Sequence, residues 1–274
     1  MNINPFIGNT NMMKIANVAV VDPCGLTISI NDVSLSDAGR DELGTMHPAK
    51  MGMKLKYEFN WNGLDRTNVA DILSKIAANE TFSLNCLDPF SSTGSNRSIT
   101  AYCGDRTAQM VQWFTKANDY WDEGHILNTN FNCIQVDMLR FGTDVGSVIT
   151  AANPGSMITL NNVALPDPAV HEWQEHDISD SSAGNDQLGV MHKMLICKKK
   201  EYKLEWHGLC PQDAAAITRA VCQTETFYGT LWDAKTDQRV QANFYRGDIT
   251  EKIVWWPTET AKKMIDVSFD IIEV

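Results

Sequence analysis

The chain has 274 residues, 43% of them hydrophobic and 21% charged, and a formal net charge of −11, the composition of an ordinary globular protein. That negative balance argues against a protein that grips nucleic acid through its phosphates, yet it permits a surface along which DNA passes without sticking. No apolar run approaches the length needed to span a bilayer, and Met1–Met13 lacks the basic-then-apolar pattern of a secretory signal. The seven cysteines are spread singly with no C-x-x-C pair, as expected of reduced thiols in a protein made in the cytoplasm.

Strand periodicity opens the first half. Leu26, Ile28 and Ile30 alternate with Thr27, Ser29 and Asn31, then Leu55, Tyr57, Phe59 and Trp61 with Lys56, Glu58 and Asn60. A period of two marks an antiparallel sheet with one buried and one wet face. Between these strands, Ser36–Lys50 reads as a loop or long hairpin tip. Gly63-Leu64 ends the second strand, Asp65 can cap, and Val69, Ile72, Leu73 and Ile76 recur at helical spacing. The helix ends near Asn79, a Glu-Thr-Phe strand opens next, and further strands are expected at Ser98–Gly104, Gln109–Phe114 and Ile126–Asp137. Phe141–Gly155, rich in Gly, Ser, Thr and Asn, reads as a linker.

The second half repeats the first. Residues 17–89 align with 162–234 at a constant offset of 145 without a gap, and about 26 of the 73 positions are identical, which marks a duplicated domain rather than a short solenoid repeat. Beyond residue 89 the offset falls to 143 at Gly104-Asp105 and Gly247-Asp248, then to 138 where Leu127–Val136 matches Ile265–Val274. The extra residues of the first copy fall most simply within Thr115–His125. The expected organisation is a first copy over 1–140, a linker over 141–155 and a second copy over 156–274, each long enough for a core of its own. Pro211 stands where the second helix begins, a favoured position, and Ala214, Ile217 and Val221 continue its stripe. The first strand of this copy has lost the pattern, with His171 and Glu175 where Leu26 and Ile30 stood, so its face is expected to be covered differently. Each copy is thus expected to be mainly β, a sandwich or small barrel of six or seven strands with one helix.

The duplication also sorts the candidates for chemistry. Ala38, Gly39, Asp41, Leu43, Gly44, Met46 and His47 return as Ala183, Gly184, Asp186, Leu188, Gly189, Met191 and His192. This best-kept stretch lies in the loop, where retained residues serve turns or contacts with a neighbouring domain or subunit. His47 and His192 are the only histidines that repeat, with no second His or Cys beside them, so a contact role is expected rather than a metal or a general base. His171, Glu172 and His176 have the wrong spacing for a zinc protease motif, and on a strand the two histidines would face opposite ways. Arg246-Gly247-Asp248 is matched by Cys103-Gly104-Asp105, so the retained feature is Gly-Asp, read as a hairpin turn. Lys198-Lys199-Lys200 with Lys203 reads as a solvated strand face or an ionic contact with an acidic neighbour. No phosphate loop, nucleophile constellation or catalytic carboxylate pair is present, so neither enzyme activity nor a cofactor is expected.

A β-sandwich with one helix and an extended loop between its first long strands resembles the bacteriophage tail-tube fold. The segments Ser36–Arg40 and Leu43–His47 are similar to a stretch of small phage proteins from tail gene modules. The resemblance covers both copies and implies a structural tail protein of the virion, assembled in the bacterial cytoplasm. Its implied partners are copies of itself and other tail proteins, with no membrane. It implies a ring, as tail tube or distal-tail or baseplate hub, that lines a channel through which DNA passes unbound. Two fused copies suggest three chains in a pseudo-sixfold ring, with six chains in a thicker ring as the competing arrangement. From another class, a tandem β-sandwich module recognising carbohydrate or protein is also open. Exposed tryptophans such as Trp121 or Trp173 would favour it, whereas Trp61/Trp206 and Trp113/Trp256 read better as core.

Overall fold

A computed structural model describes residues 12–36, 39–41, 45–113, 125–179, 184–185, 191–192, 195–256 and 263–274. In the first half, β1 (Lys14–Ile15) and β2 (Val18–Ala19) form a hairpin. Its turn residues Ala16 and Asn17 both have positive φ, 51° and 64°, the geometry that matches strand twist in a two-residue hairpin. Next come β3 (Gly25–Ser34), β4 (Gly39–Arg40), β5 (Met46–His47) and β6 (Lys50–Asp65). Helix α1 (Arg66–Ala77) follows, capped as its sequence predicts: Asp65 Oδ1 accepts from the Asn68 amide at 2.8 Å. Strands β7 (Phe82–Leu87), β8 (Asn96–Trp113) and β9 (His125–Gln135) complete the half. Their order in the sheet is β3-β6-β9-β8-β7-β1-β2.

The second half uses the same elements in the same order. They are β10 (Thr159–Leu160), β11 (Val163–Ala164), β12 (Val170–Ser179), β13 (Gly184–Asn185), β14 (Met191–His192), β15 (Leu195–Leu209), α2 (Pro211–Val221), β16 (Phe227–Asp233), β17 (Gln238–Arg246), β18 (Ile249–Trp255) and β19 (Met264–Glu273). Pro211 occupies the first turn of α2. The pairing registers carry over too. Phe82 faces Ala101 as Phe227 faces Phe244, and Ala101 faces Gln135 as Phe244 faces Glu273. Trp61 and Trp206 are buried and donate their indole N–H to the carbonyls of Val21 and Pro166, both at 2.8 Å.

Three expectations need correction. The strands expected at Ser98–Gly104 and Gln109–Phe114 are one strand, β8, as far as Trp113, and Phe114 lies outside the described residues. Gly-Asp is therefore not a hairpin turn. In β8 it is a bulge between Cys103 and Arg106, and in the second half the break between β17 and β18. Glycine serves close approach here, because a Cβ on Gly104 would lie 2.2 Å from Asn132 Oδ1. The segment 141–155 is also more than a linker. Val145 and Ala151 are buried, Asp144 O accepts from Arg97, and the amides of Ala152 and Asn153 donate to Asp213 at 2.7 and 3.0 Å.

The bulge matters because the strand leaves its outer partner near there, while its pairing with β9 continues on the other side. The proximal part of β8 pairs with β7, and β17 likewise pairs with β16. Beyond the break, β18 turns its outer edge to the other half and pairs antiparallel with β3. One sheet thus runs β12-β15-β19-β18-β3-β6-β9-β8 through both halves. Its apolar face, including Leu55, Tyr57, Phe59, Leu204, Trp206 and Phe269, joins Ile72, Ile76 and Ile217 of the helices in one hydrophobic cluster.

Candidate functional site

The retained loops are hairpin tips in both halves. Gly39 pairs with His47 and Arg40 with Met46, and the second half repeats this with Gly184–His192 and Asn185–Met191. In the first tip the Asp41 carboxylate accepts from the Thr45 amide at 2.8 Å and meets His47 Nε2 at 3.0 Å, and the Asp41 amide donates to Thr45 O at 3.0 Å. Asp41 thus fastens the turn, and His47, 63% exposed, closes over it. The structure therefore brings Gly39, Asp41, Met46 and His47 together in one tip. Ala38, Leu43, Gly44, Ala183, Asp186, Leu188 and Gly189 lie outside the described residues.

The seam between the halves carries the most elaborate chemistry. Ile249 faces Ile30, Thr250 faces Ser29, Glu251 faces Ile28 and Lys252 faces Thr27. Arg246, only 2% exposed, gives an NH2 proton to Asp32 Oδ1 at 2.8 Å and others to Val221 O and Gly247 O. Lys50 pairs with the other oxygen of Asp32 and donates to Arg246 O at 2.9 Å. Burial pushes the Lys50 ammonium below its ordinary range, and Asp32 opposes that shift. Asp248, from the retained Gly-Asp, accepts from the Asn31 side chain at 2.9 Å and from the Asp32 amide at 3.2 Å. Glu251 is buried beside Thr218 Oγ1 at 2.7 Å, and burial raises its pKa to about 8. Thr218 Oγ1 also lies 2.9 Å from Ala214 O. The Thr218 hydroxyl is therefore placed to donate to either acceptor.

The wet face of the sheet is polar from strand to strand. One row runs Asp266–Lys252–Thr27–Glu58–Asn132 across five strands, and another places Glu172, Lys203 and Asp270 side by side. Lys203 pairs with Glu205 at 2.9 Å. Burial, reinforced by the neighbouring Glu201, raises the Asp270 pKa, the mark of crowded acids. A groove of about 820 Å³ opens on this face at the seam, lined by Thr27, Glu58, Asn130, Thr107 and Lys252 among others.

The remaining candidates take structural places. His171 and His176 point to opposite faces of β12. The first packs 5.5 Å from the Tyr202 ring, and the second meets Glu201 at 2.8 Å. The Lys cluster is satisfied within the chain: Lys198 by Glu175 and Asp177, and Lys200 by Asp233 at 2.6 Å, while Lys199 is buried. All seven cysteines are free, although Cys103 lies opposite Cys133 across β8 and β9, a proximity hidden from a comparison that only matched copy to copy. Arg246, Glu251 and Asp248 were also beyond sequence reasoning, except that Asp248 belongs to the retained Gly-Asp. A scan of protein-family models finds no match to this chain, and a search of curated proteins finds no significant match.

Proposed function

We propose that the chain is a structural subunit of a bacteriophage tail, whose copies close a ring around a channel for DNA. The observation that carries this reading is the seam: two copies of one unit are joined edge to edge in a single sheet, side by side rather than as beads on a linker. A unit that joins its own duplicate through a heterologous strand contact has the geometry of a ring or filament segment. The polar face, with its excess of acids, suits a surface past which DNA slides, since like charge prevents adhesion. The hairpin tips lie between β3 and β6 and between β12 and β15, where they can reach a neighbouring ring. Electron micrographs of the purified protein at high concentration test this. Rings with a central channel and threefold or sixfold symmetry are expected, and a strictly monomeric protein with no ring would overturn it.

The groove on the polar face favours one other reading, a tandem β-module that takes a carbohydrate or peptide ligand. Saturable binding from a glycan array by a stable monomer would support that reading over the first.

A further inference from the structure

The two copies present the same strand edges in two circumstances, and the difference identifies a contact. At the seam, the distal edge of one copy (β18) lies against the first strand of the other (β3). The equivalent edges, the distal part of β8 from Arg106 onward and the whole of β12, each have a strand on one side alone among the described residues. On the inward-facing positions, seam residues are buried and their counterparts more open. Ile253 is 3% exposed and its counterpart Met110 is 47%. Ile249 and Glu251 are buried where Arg106 and Ala108 are exposed. On the partner strand, Leu26, Ile28 and Ile30 are buried where His171, Trp173 and Glu175 are half-exposed. Neither open edge carries a proline, a common means of blocking edge pairing.

We propose that the distal edge of β8 in one chain pairs antiparallel with β12 of a second copy, reproducing the seam between chains. Because the registers within the two halves coincide, the seam register transfers directly. Arg106 then faces Glu175, Thr107 faces Gln174, Ala108 faces Trp173, and Gln109 faces Glu172. The chemistry at these positions is complementary. The Arg106 guanidinium joins Lys198 and Lys235 around the Glu175 carboxylate, and the smallest side chain of the edge meets the largest of its partner. Asp105 takes the place of Asp248, so its carboxylate accepts from the Asp177 amide and the His176 ring, as Asp248 does from Asp32 and Asn31. That role gives the retained Gly-Asp a reason to stand in both copies. The contact is heterologous, an edge of one kind against an edge of another, so it propagates around a ring or along a filament. This inference rests on the proposed ring and specifies how it closes.

Paired cysteines test it. Directly opposed Cα atoms in an antiparallel ladder lie about 4.5–5.5 Å apart, inside the range a disulfide spans. The full chain carrying Thr107→Cys with Gln174→Cys is oxidised mildly and run without reductant. Covalent multimers are expected from this variant and from neither single substitution. Thr250→Cys with Ser29→Cys, the same pair at the seam, is expected to close within one chain and leave its mass unchanged. Asp105→Ala added to the first pair is expected to cause loss of most of the multimer while circular dichroism shows the fold intact. Rings in micrographs with cross-linking from the shifted pair Thr107→Cys with Glu172→Cys, or from neither pair, would overturn the strand register and leave the ring standing. A folded chain giving neither rings nor multimers would overturn both.

Discussion

Strand β18 and the distal part of β8 occupy the same place in two halves of one chain, yet one is sealed and the other open. The helices repeat the contrast. Helix α2 is buried on nearly every side, with Ala215 inaccessible, whereas α1 buries Val69, Ile72 and Ile76 and leaves Ala70, the counterpart of Ala215, exposed. The reason is position: α2 stands over the seam, where Arg219 donates to Phe90 O at 2.8 Å and to Ser147 O at 3.0 Å. Divergence between the copies therefore follows what lies against each residue. The same backbone carries an isoleucine where a strand covers it and an arginine or glutamate where, among the described residues, no strand does.

The sharpest break of this contrast is at Arg246. Arg246→Ala leaves Asp32 and Lys50 buried without their guanidinium and is expected to cost about 3–5 kcal/mol in urea unfolding. Cys103→Ala, at the equivalent place, should cost within about 1 kcal/mol. Equal losses would mean that the seam is no more demanding than the open edge. Ile253→Ala follows at about 2–5 kcal/mol, against about 0.5 kcal/mol for Met110→Ala in dilute protein.

Titration sharpens the comparison further. The Glu251 pKa of about 8 stands above the ordinary 4.5 of a free glutamate, so the folded state binds this proton more tightly than the unfolded chain. Its stabilising contribution is complete below the unfolded value and is lost as pH rises through that interval. Glu251→Gln should flatten this part of the stability profile, removing on the order of 3–5 kcal/mol of loss between about pH 5 and about pH 9. The first half has Ala108 there and nothing to titrate. The smallest effect is expected at the helix starts. Asp65→Ala removes a cap and should cost about 1 kcal/mol, measured by thermal unfolding, whereas Cys210→Ala should cost less because Cys210 makes no side-chain cap bond.

Local pattern made much of the fold legible. The alternation in Leu26–Asn31 and Leu55–Trp61, the Asp65 cap and Pro211 each act within a few residues, and the elements formed where they placed them, except that β6 does not end at Gly63-Leu64 but continues past a bulge there to Asp65. The tips were legible as a retained stretch, and the lost alternation at His171 and Glu175 did signal a differently covered strand. The seam was not legible, because pairing between β18 and β3 depends on which edges remain free once each half has folded. Arg246 shows the cost of that blindness. In sequence it sits in a surface-like tripeptide, and only the approach of Asp32, 214 residues away, explains a buried cation.

The packed connection at 141–155 has a kinetic consequence. Because it rests on Asp213 and holds Arg97, it keeps the two halves at short range, so β18 meets β3 in a unimolecular step at an effective concentration on the order of millimolar. A separate unit of this fold would need a diffusional encounter for every strand contact it makes. Here that contact forms during folding, and among the described residues the long sheet keeps two open edges, β12 and the distal part of β8, instead of the four that two separate units would present.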